Sequence, residues 1–345
     1  MKRVIAVVGL ASVLVVQASS FGFAQSTTRA DGRLGKPAPG TVRVTFLGTG
    51  CPRPSFERYG PSTLVEAGDH RVLIDPSWGL RERLMQAGSF ELLTSIDSVL
   101  LTHLHYDHTV GLPDLWLTGW LYGRRVPLKV RGPRGTRAFV DNFERAYRWD
   151  IDYRILVKVP RAGSEFEALD VPPGVIFDRD GLKITAFEVE HMPIDPTTRA
   201  LLPLEGQTFG YRIDYAGRSV AFSGDTRPSE NLVQNARGVD VLVHEVQVPS
   251  ASETKESKFA NLSLSVHTEP ADAGRVFARV RPRMAIYSHI VPPDAQAKDL
   301  KAATPYDGPL TVAHDLMMVT IGQSIEIADR PRVKGEIYEK AGVLK

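Results

Sequence analysis

The stretch LTHLHYDH, residues 101–108, places three imidazoles and one carboxylate within six positions. The preceding run IDSVLL, residues 96–101, is typical of a buried strand, and Gly111, Leu112 and Pro113 lead toward a helix. The polar cluster is therefore predicted on a loop that leaves a strand, where rigid scaffolds tend to carry functional groups. Imidazole and carboxylate together suit borderline cations, above all zinc. The alternative, a set of solvated loop histidines, is disfavoured because the whole chain contains only nine histidines.

This cluster resembles the HxHxDH signature of the metallo-β-lactamase fold superfamily. The signature is filled here by His103, His105, Asp107 and His108. The resemblance implies three more ligands, each after a strand-like run, and the chain offers a candidate for each. These candidates are His191 after residues 182–190, Asp225 after residues 219–222, and His289 after residues 285–288.

The resemblance also implies how the seven ligands divide between two zinc ions. In that division the first ion is held by three histidines, the second by a carboxylate and two histidines, and one aspartate bridges the pair. The sets are His103, His105 and His191 for the first ion, Asp107, His108 and His289 for the second, and Asp225 as the bridge. Two zinc ions that share a water lower its pKa toward neutrality and so supply a nucleophile. Asp107 is expected to orient or deprotonate that water.

The order of strand-like and helix-like segments predicts an α/β fold. The resemblance implies the particular architecture, a four-layer αβ/βα sandwich (the metallo-β-lactamase fold) with the site between its sheets. Because every ligand candidate ends a strand, all of them are expected to converge at one edge of a sheet.

Other elements are predicted from local patterns. Residues 79–87 are expected to form a helix closed by Gly88, and residues 319–327 a last strand. Residues 149–181 contain three prolines and are predicted to be irregular, as a flap or a small extra hairpin near the site. The aromatic residues of the predicted helix 114–122 belong either to a substrate pocket or to the helix core.

Further motifs resemble the ribonuclease Z-like branch of the superfamily. The chain carries FLGTG at residues 46–50, His244-Glu245 and His267-Thr268, as well as FGY at residues 209–211 and SGDT at residues 223–226. In this branch the matching glutamate and histidine lie beside the metals as a proton relay. Glu245 and His267 are therefore expected to be catalytic, with His267 protonating the departing oxygen. The alternative is that both only brace the metal-binding loops.

Three departures separate the chain from tRNA-processing members of this branch. Their tRNA-binding arm is inserted between the third histidine and the bridging aspartate, but His191 and Asp225 are only 34 positions apart. Ile290-Val291-Pro292 follows the final histidine, where the family has a pattern with an arginine. The chain is also predicted to be exported, away from tRNA precursors. Exported members of the branch look like phosphodiesterases or arylsulfatases.

These features predict an exported two-zinc metallohydrolase that cleaves a small ester, either a phosphodiester or an aryl sulfate. A β-lactam or lactone hydrolase would use the same metals on a carbonyl group and is the main alternative. A di-iron redox protein is disfavoured because that branch has a glutamate where His105 stands. A non-catalytic metal-binding protein is disfavoured because no ligand is missing.

Residues 1–24 have the pattern of a secretory signal peptide. Lys2 and Arg3 precede an apolar stretch that ends in small residues at Ala24. Cleavage after Ala24 would give a periplasmic or secreted protein. The apolar stretch is too short for a permanent membrane anchor, although a retained N-terminal segment is the alternative. The remaining chain is predicted as a flexible lead-in (25–40), a single metallo-β-lactamase-fold domain (41–330) and a C-terminal tail (331–345).

The charge balance argues against a nucleic-acid partner. Without Lys2 and Arg3, the 42 basic residues become 40, equal to the 40 acidic residues, whereas nucleic-acid binding usually needs a basic surface. The expected partner is a small-molecule ester, and the oligomeric state is left open, a homodimer included. Cys51, the one cysteine, permits no internal disulfide and is either a buried small side chain or a reactive thiol. His70 and His314 receive no functional role.

Overall fold

Two mixed β-sheets form the centre of the protein. The computed structural model describes residues 35–192, 208–249 and 262–330. The first sheet has eight strands in the order β15-β14-β1-β2-β3-β4-β5-β6. Its strands are β1 (Val42–Gly48), β2 (Ser62–Ala67), β3 (His70–Ile74), β4 (Ser98–Leu100), β5 (Leu128–Gly132), β6 (Phe166–Asp170), β14 (Met317–Ile321) and β15 (Ile325–Asp329).

The second sheet has seven strands in the order β13-β12-β11-β10-β9-β8-β7. Its strands are β7 (Gly174–Arg179), β8 (Leu182–Val189), β9 (Thr208–Tyr215), β10 (Arg218–Phe222), β11 (Val241–Gln247), β12 (Met284–Val291) and β13 (Leu310–Val312). Strands β7 to β10 are antiparallel neighbours, whereas β10 to β13 run parallel. The chain crosses from one sheet to the other between β6 and β7.

Helices cover the outer faces of both sheets. The helices beside the first sheet are α1 (Leu80–Thr94), α2 (Tyr106–Thr109), α3 (Leu112–Leu121), α4 (Thr136–Ala146) and α5 (Arg148–Leu156). The helices beside the second sheet are α6 (Glu230–Asn235), α7 (Pro270–Val280) and α8 (Ala297–Ala302). Helix, sheet, sheet and helix therefore make four layers, which confirms the predicted α/β four-layer sandwich.

The layers follow from the alternation of side chains along each strand. In β8, Leu182, Ile184 and Ala186 face the apolar core between the sheets, whereas Phe187 and Val189 face the helices beyond. Because both faces of the strand are covered, apolar residues occupy both sides of it.

Parallel strands bring the ligand candidates to one edge of the sandwich. Strands β3 to β6 run parallel in the first sheet, as do β10 to β13 in the second. His103 follows β4 and Asp225 follows β10. Glu245 and His289 lie near the C-terminal ends of β11 and β12. The convergence predicted from the strand ends is thus the observed arrangement.

Two local predictions need correction, and a third is borne out. Residues 149–181 are not an irregular flap: they form most of α5, then β6 and β7, whose partly buried apolar residues pack against the two neighbouring hydrophobic clusters. The helix predicted to stop at Gly88 does end there, because Gly88 and Ser89 have non-helical backbone angles, and a second helical stretch beyond this kink continues α1 to Thr94. The segment predicted as one strand, 319–327, belongs instead to two antiparallel strands, β14 and β15, which are joined by a turn.

Several predictions fall outside the described residues. The signal peptide (1–24), most of the lead-in (25–40) and the C-terminal tail (331–345) remain predictions. Within residues 35–192, 208–249 and 262–330, no helix is long and apolar enough to cross a bilayer.

Candidate metal centre

The three histidines predicted for the first metal ion lie together, His103 and His105 on the loop after β4 of the first sheet and His191 after β8 of the second. The Nε2 atom of His103 lies 2.8 Å from Nδ1 of His105, and Nε2 of His191 lies 3.3 Å from the same Nδ1. His103 and His191 are buried, whereas His105 is exposed. The set can hold a metal ion, and it opens to solvent at His105.

The residues predicted for the second ion form an adjoining group. Oδ2 of Asp107 lies 3.5 Å from Nε2 of His108 and 3.6 Å from Nε2 of His289. All three side chains are buried. Asp107 and His108 share a single turn of helix, α2, so the short spacing of the sequence aims both at one point.

Asp225 lies between the two groups, as a bridging ligand should. Its Oδ2 atom is 3.3 Å from Nε2 of both His108 and His289, and 4.0 Å and 3.9 Å from Nε2 of His103 and His191. One carboxylate oxygen thus faces four imidazole nitrogens that are drawn from both predicted sets.

Contacts between the sheets fix the loop that carries the ligands. The Phe209 backbone N–H donates to the Thr102 carbonyl (2.8 Å), and the Tyr211 hydroxyl donates to the Leu101 carbonyl (2.7 Å). Gly224 adopts φ +59°, and a Cβ atom there would lie 2.5 Å from the Phe209 carbonyl oxygen. The SGDT sequence therefore needs its glycine to bring Asp225 against the loop of the first sheet.

The donor atoms of this site fit metal ions. Among the described residues, the buried atoms Oδ2 of Asp107, Nε2 of His108 and Nε2 of His289 have no hydrogen-bond partner, and all three point into the cluster. An unpartnered buried polar group is costly. A cation held by these atoms would remove that cost.

Loss of hydration lowers the pKa of the histidines of the first group and favours their neutral form. Burial holds the pKa of His103 well below the ordinary range and lowers that of His191 to about 3, and the surrounding protein also lowers the pKa of His105, although its side chain reaches solvent. The neutral imidazole is the form that binds a metal ion. The Nδ1–H of His191 donates to the Val266 carbonyl oxygen, 3.0 Å away, which leaves the Nε2 lone pair for the metal centre.

His108 has the opposite environment. Burial lowers its pKa, but the carboxylates of Asp225, Asp107 and Asp75 outweigh burial and raise it well above the ordinary range. Three carboxylates around one imidazole form an anionic site, which is the electrostatic setting that a divalent cation requires.

Asp75 is a functional candidate that the sequence reasoning missed. Its Oδ2 atom lies 2.9 Å from Nδ1 of His108, and both carboxylate oxygens accept hydrogen bonds from Thr102. A carboxylate behind a ligating histidine fixes the tautomer and the ring orientation. The sequence offered only a weak signal for this role, namely a single aspartate at the end of β3.

Replacing Asp75 with asparagine is expected to weaken zinc binding about 10–100-fold, because His108 loses its carboxylate partner. Titration of the metal-free protein with zinc against a competing chelator measures this change. Asp152→Asn removes an exposed carboxylate from α5 and serves as the matched control. An Asp75→Asn protein with the affinity of the control would contradict the assigned role.

Glu245 and His267 form a hydrogen-bonded pair beside both groups. Nδ1 of His267 lies 2.9 Å from Oε1 of Glu245, which also accepts the Thr226 backbone N–H at 2.9 Å. Burial lowers the pKa of His267, but the Glu245 carboxylate raises it more, to about 9. The His267 ring stacks 5.7 Å from that of His289 and lies 4.9 Å from that of His191. The structure thus brings the predicted pair to the metal ligands.

Two open questions about side chains near the site can be answered from burial. Trp116 and Trp120 are buried in the core between α3 and the first sheet, so these aromatic residues belong to the helix core. Cys51 is also buried, and burial raises the pKa of its thiol to about 12. That environment favours the buried small side chain over the reactive thiol.

Comparison with known proteins identifies the relatives of this chain. Residues 70–290 match the family described as a beta-lactamase superfamily domain. A ribonuclease Z from Mycobacterium sp. (strain KMS) is 32% identical over 287 residues, which cover 81% of this chain and 96% of that protein.

Two solved structures share the fold at low sequence identity. The metallo-beta-lactamase fold protein YhfI from Bacillus subtilis has a TM-score of 0.59 at 16% identity, covering 84% of this chain and 100% of that one. The short form of human tRNase Z has a TM-score of 0.58 at 21% identity, covering 80% and 98%. The predicted resemblance is confirmed: this chain belongs to the metallo-β-lactamase fold superfamily and to its ribonuclease Z-like branch.

Proposed function

We propose that this protein is a two-zinc hydrolase of small phosphodiesters, with aryl sulfate esters as a related substrate class. The observation that supports it is the convergence of six ligand side chains, in two groups of three, around a seventh, Asp225. Three neutral imidazoles in one group and two imidazoles with a carboxylate in the other suit zinc.

The proposed chemistry combines the metal ions with positioned side chains. Zinc ions bound there would lower the pKa of a water toward neutrality and stabilise charge on the ester oxygens. Asp107 has its Oδ2 atom directed into the cluster, so it can accept a hydrogen bond from the attacking water and orient it. His105, the exposed ligand, marks the side from which substrate enters.

The pair of Glu245 and His267 supplies a proton to the leaving group in this proposal. Glu245 holds the Nδ1–H of His267 and so directs its Nε2 atom away from the carboxylate. A positioned acid of this kind typically contributes about 10²–10⁴-fold to the rate.

The choice of phosphodiester over lactam or lactone rests on the relatives. The curated relatives named ribonuclease Z cleave a phosphodiester, and the chain matches them over nearly their whole length. Cleavage of precursor RNA is therefore the second candidate function. The balanced charge and the short interval from His191 to Asp225 favour a small substrate instead.

A substrate panel tests the proposal. Zinc-loaded protein is assayed with bis-p-nitrophenyl phosphate, p-nitrophenyl sulfate, p-nitrophenyl acetate, a chromogenic β-lactam and a precursor tRNA. We expect the highest kcat/KM on the phosphodiester, and negligible cleavage of the tRNA. His103→Ala protein prepared in parallel measures activity from contaminants.

Three results would overturn the proposal. Cleavage of precursor tRNA as efficient as that of the best small ester would establish the RNA-processing function. A preference for the β-lactam or the carboxylate ester over the phosphodiester would move the protein to a carbonyl hydrolase. No activity on any substrate, with two zinc ions bound, would favour a binding role.

We propose that the protein is exported to the periplasm or secreted and that it has no permanent membrane anchor. Expression of the full chain in a bacterial host should yield a mature protein that begins at Gln25, because the small residues before it suit signal peptidase. N-terminal sequencing of the periplasmic fraction measures the start. An active cytoplasmic protein that still begins at Met1 would refute the prediction.

A further inference from the structure

His289 has an unusual backbone conformation within β12. Its φ angle is +47°, in the left-handed region that residues other than glycine rarely adopt. The pairing of β12 with β11 shifts by one residue at the same place. Two residues of β12, Ser288 and His289, therefore oppose the single residue Glu245 of β11, which makes this point of the strand a β-bulge.

The bulge directs the His289 side chain toward the metal centre. Tyr287 and Ile290 both pack into the core on the helix side of the sheet, although they are three positions apart. In a regular strand, residues three apart point to opposite faces, and His289 would share the helix side with Tyr287. The extra residue of the bulge turns His289 away from that side, so that its Nε2 atom lies 3.6 Å from Asp107 and 3.3 Å from Asp225.

A contact from the other sheet holds the end of the bulge. A left-handed conformation at a residue other than glycine costs free energy, and it persists where the surrounding structure fixes it. The Ile290 backbone N–H, directly after His289, donates to the Thr49 carbonyl oxygen at 3.0 Å. Thr49 belongs to the FLGTG turn, residues 46–50, at the end of β1 in the first sheet.

The carboxylate of Asp315 fixes Thr49 in turn. Its Oδ1 atom accepts the Thr49 backbone N–H at 3.0 Å and the Thr49 hydroxyl at 2.8 Å. Its Oδ2 atom accepts the Tyr59 backbone N–H at 2.8 Å and the Arg83 guanidinium of α1 at 2.9 Å. Hydrogen bonds to an ionised group are the stronger ones, and the Asp315 side chain is only 4% exposed. One buried carboxylate thus joins the FLGTG turn to two other segments.

Arg58 completes the network from the other side of Thr49. Its guanidinium donates to the Thr49 hydroxyl oxygen and to the Ala313 carbonyl, both at 2.7 Å, and to the Pro293 carbonyl at 3.0 Å. The Thr49 hydroxyl therefore donates to Asp315 and accepts from Arg58. Because Pro293 lies just beyond β12, the same network holds the chain on the far side of the bulge.

We propose that Thr49 and Asp315 are positioning residues for the metal centre: through the backbone of Ile290 they hold the bulge that directs His289 toward the second metal ion. The inference rests on the proposed two-zinc centre. It assigns the FLGTG turn to metal binding rather than to contact with substrate.

Zinc titration of the metal-free full chain against a competing chelator tests the proposal. We expect Asp315→Asn and Thr49→Val each to weaken binding of the second zinc ion about tenfold, the lower end of the range for groups that orient a metal ligand. The first ion should keep its affinity. Cobalt(II) in place of zinc gives an independent readout, because its visible absorption depends on coordination geometry and should change in both variants.

A double substitution identifies the ion that is affected. His289→Ala protein lacks one ligand of the second ion and is expected to keep only the first. Adding Asp315→Asn to that protein should leave the affinity for the remaining ion unchanged, because the residue through which Asp315 acts is already gone.

Two controls separate positioning from general stability. Thr49→Ser keeps the hydroxyl and should bind both ions as the wild type does. Glu66→Gln alters another buried carboxylate, 3% exposed, which accepts the Arg330 guanidinium at 2.6 Å on β2. It should lower the melting temperature and leave both zinc affinities unchanged. Thermal melting verifies that each variant is folded.

Three results would overturn the inference. Wild-type affinity for both ions in Asp315→Asn and Thr49→Val would show that the network does not act on the metal centre. Equal weakening of both ions, or the same loss in Glu66→Gln, would reduce its role to stability. The hydrolase proposal fails separately, if wild-type protein binds two zinc ions and cleaves no ester, and the measured affinities would then still decide the role of Thr49 and Asp315.

Discussion

Asp225→Ala protein is expected to lose zinc from both groups and to retain less than about one thousandth of the wild-type kcat/KM on a p-nitrophenyl phosphodiester. The Oδ2 atom of Asp225 lies within 4.0 Å of ligand nitrogens from both groups, so this one side chain links them. Bound metal ions supply several kcal/mol of transition-state stabilisation, and each ~1.4 kcal/mol is a factor of ten in rate.

Elemental analysis after dialysis against buffered zinc measures the metal content independently of activity. We expect two zinc ions per chain in the wild type and fewer than one in the variant. Asp240→Asn is the matched control: Asp240 is a buried carboxylate of the same sheet that holds the Ser219 backbone and Arg283. The control should melt at a lower temperature yet keep its zinc. Two zinc ions in Asp225→Ala protein would contradict the bridging role.

The ligand set could be predicted because residues 103–108 resemble the HxHxDH signature of the superfamily, and that resemblance implies three further ligands, each after a strand. His103 to His108 are a local motif, and Asp225 and His289 follow short apolar runs whose parallel pairing brings their ends together. When the strands and their parallel pairing are predicted correctly, the relative positions of the residues at their ends follow from the geometry of the sheet.

Asp75 could not be assigned in this way, since its role depends on one contact across the site. The carboxylate reaches His108, 33 positions along the chain, and nothing in the sequence around Asp75 specifies that partner. A residue that hydrogen-bonds to a metal ligand, rather than to the metal, does not belong to a motif with a fixed sequence spacing.

The segment 149–181 was mispredicted for a different reason. Its prolines and glycines are typical of irregular structure, but Pro172 and Pro173 lie in the link between β6 and β7, where the chain changes sheets. The short flanking strands are at the sheet edges, so few of their residues are buried and their periodicity is weak.

His267→Ala is expected to slow the hydrolysis of an alkyl phosphodiester about 10²–10⁴-fold, and that of the p-nitrophenyl analogue by less than about tenfold. An alkoxide needs a proton in order to leave, whereas p-nitrophenolate leaves well without one. His267 is placed to give that proton, because Glu245 holds its Nδ1 at 2.9 Å and its ring lies against His289 and His191. The two rate constants are measured on the same zinc-loaded preparation.

The comparison of leaving groups separates proton transfer from structural bracing. His314→Ala removes an exposed histidine that contacts Asp329 and should leave both rates unchanged. Glu245→Gln should reproduce the leaving-group dependence more weakly, because His267 remains but loses its carboxylate partner. If His267→Ala slows both esters equally, or releases zinc, then His267 braces the ligands and the departing oxygen must receive its proton from another donor.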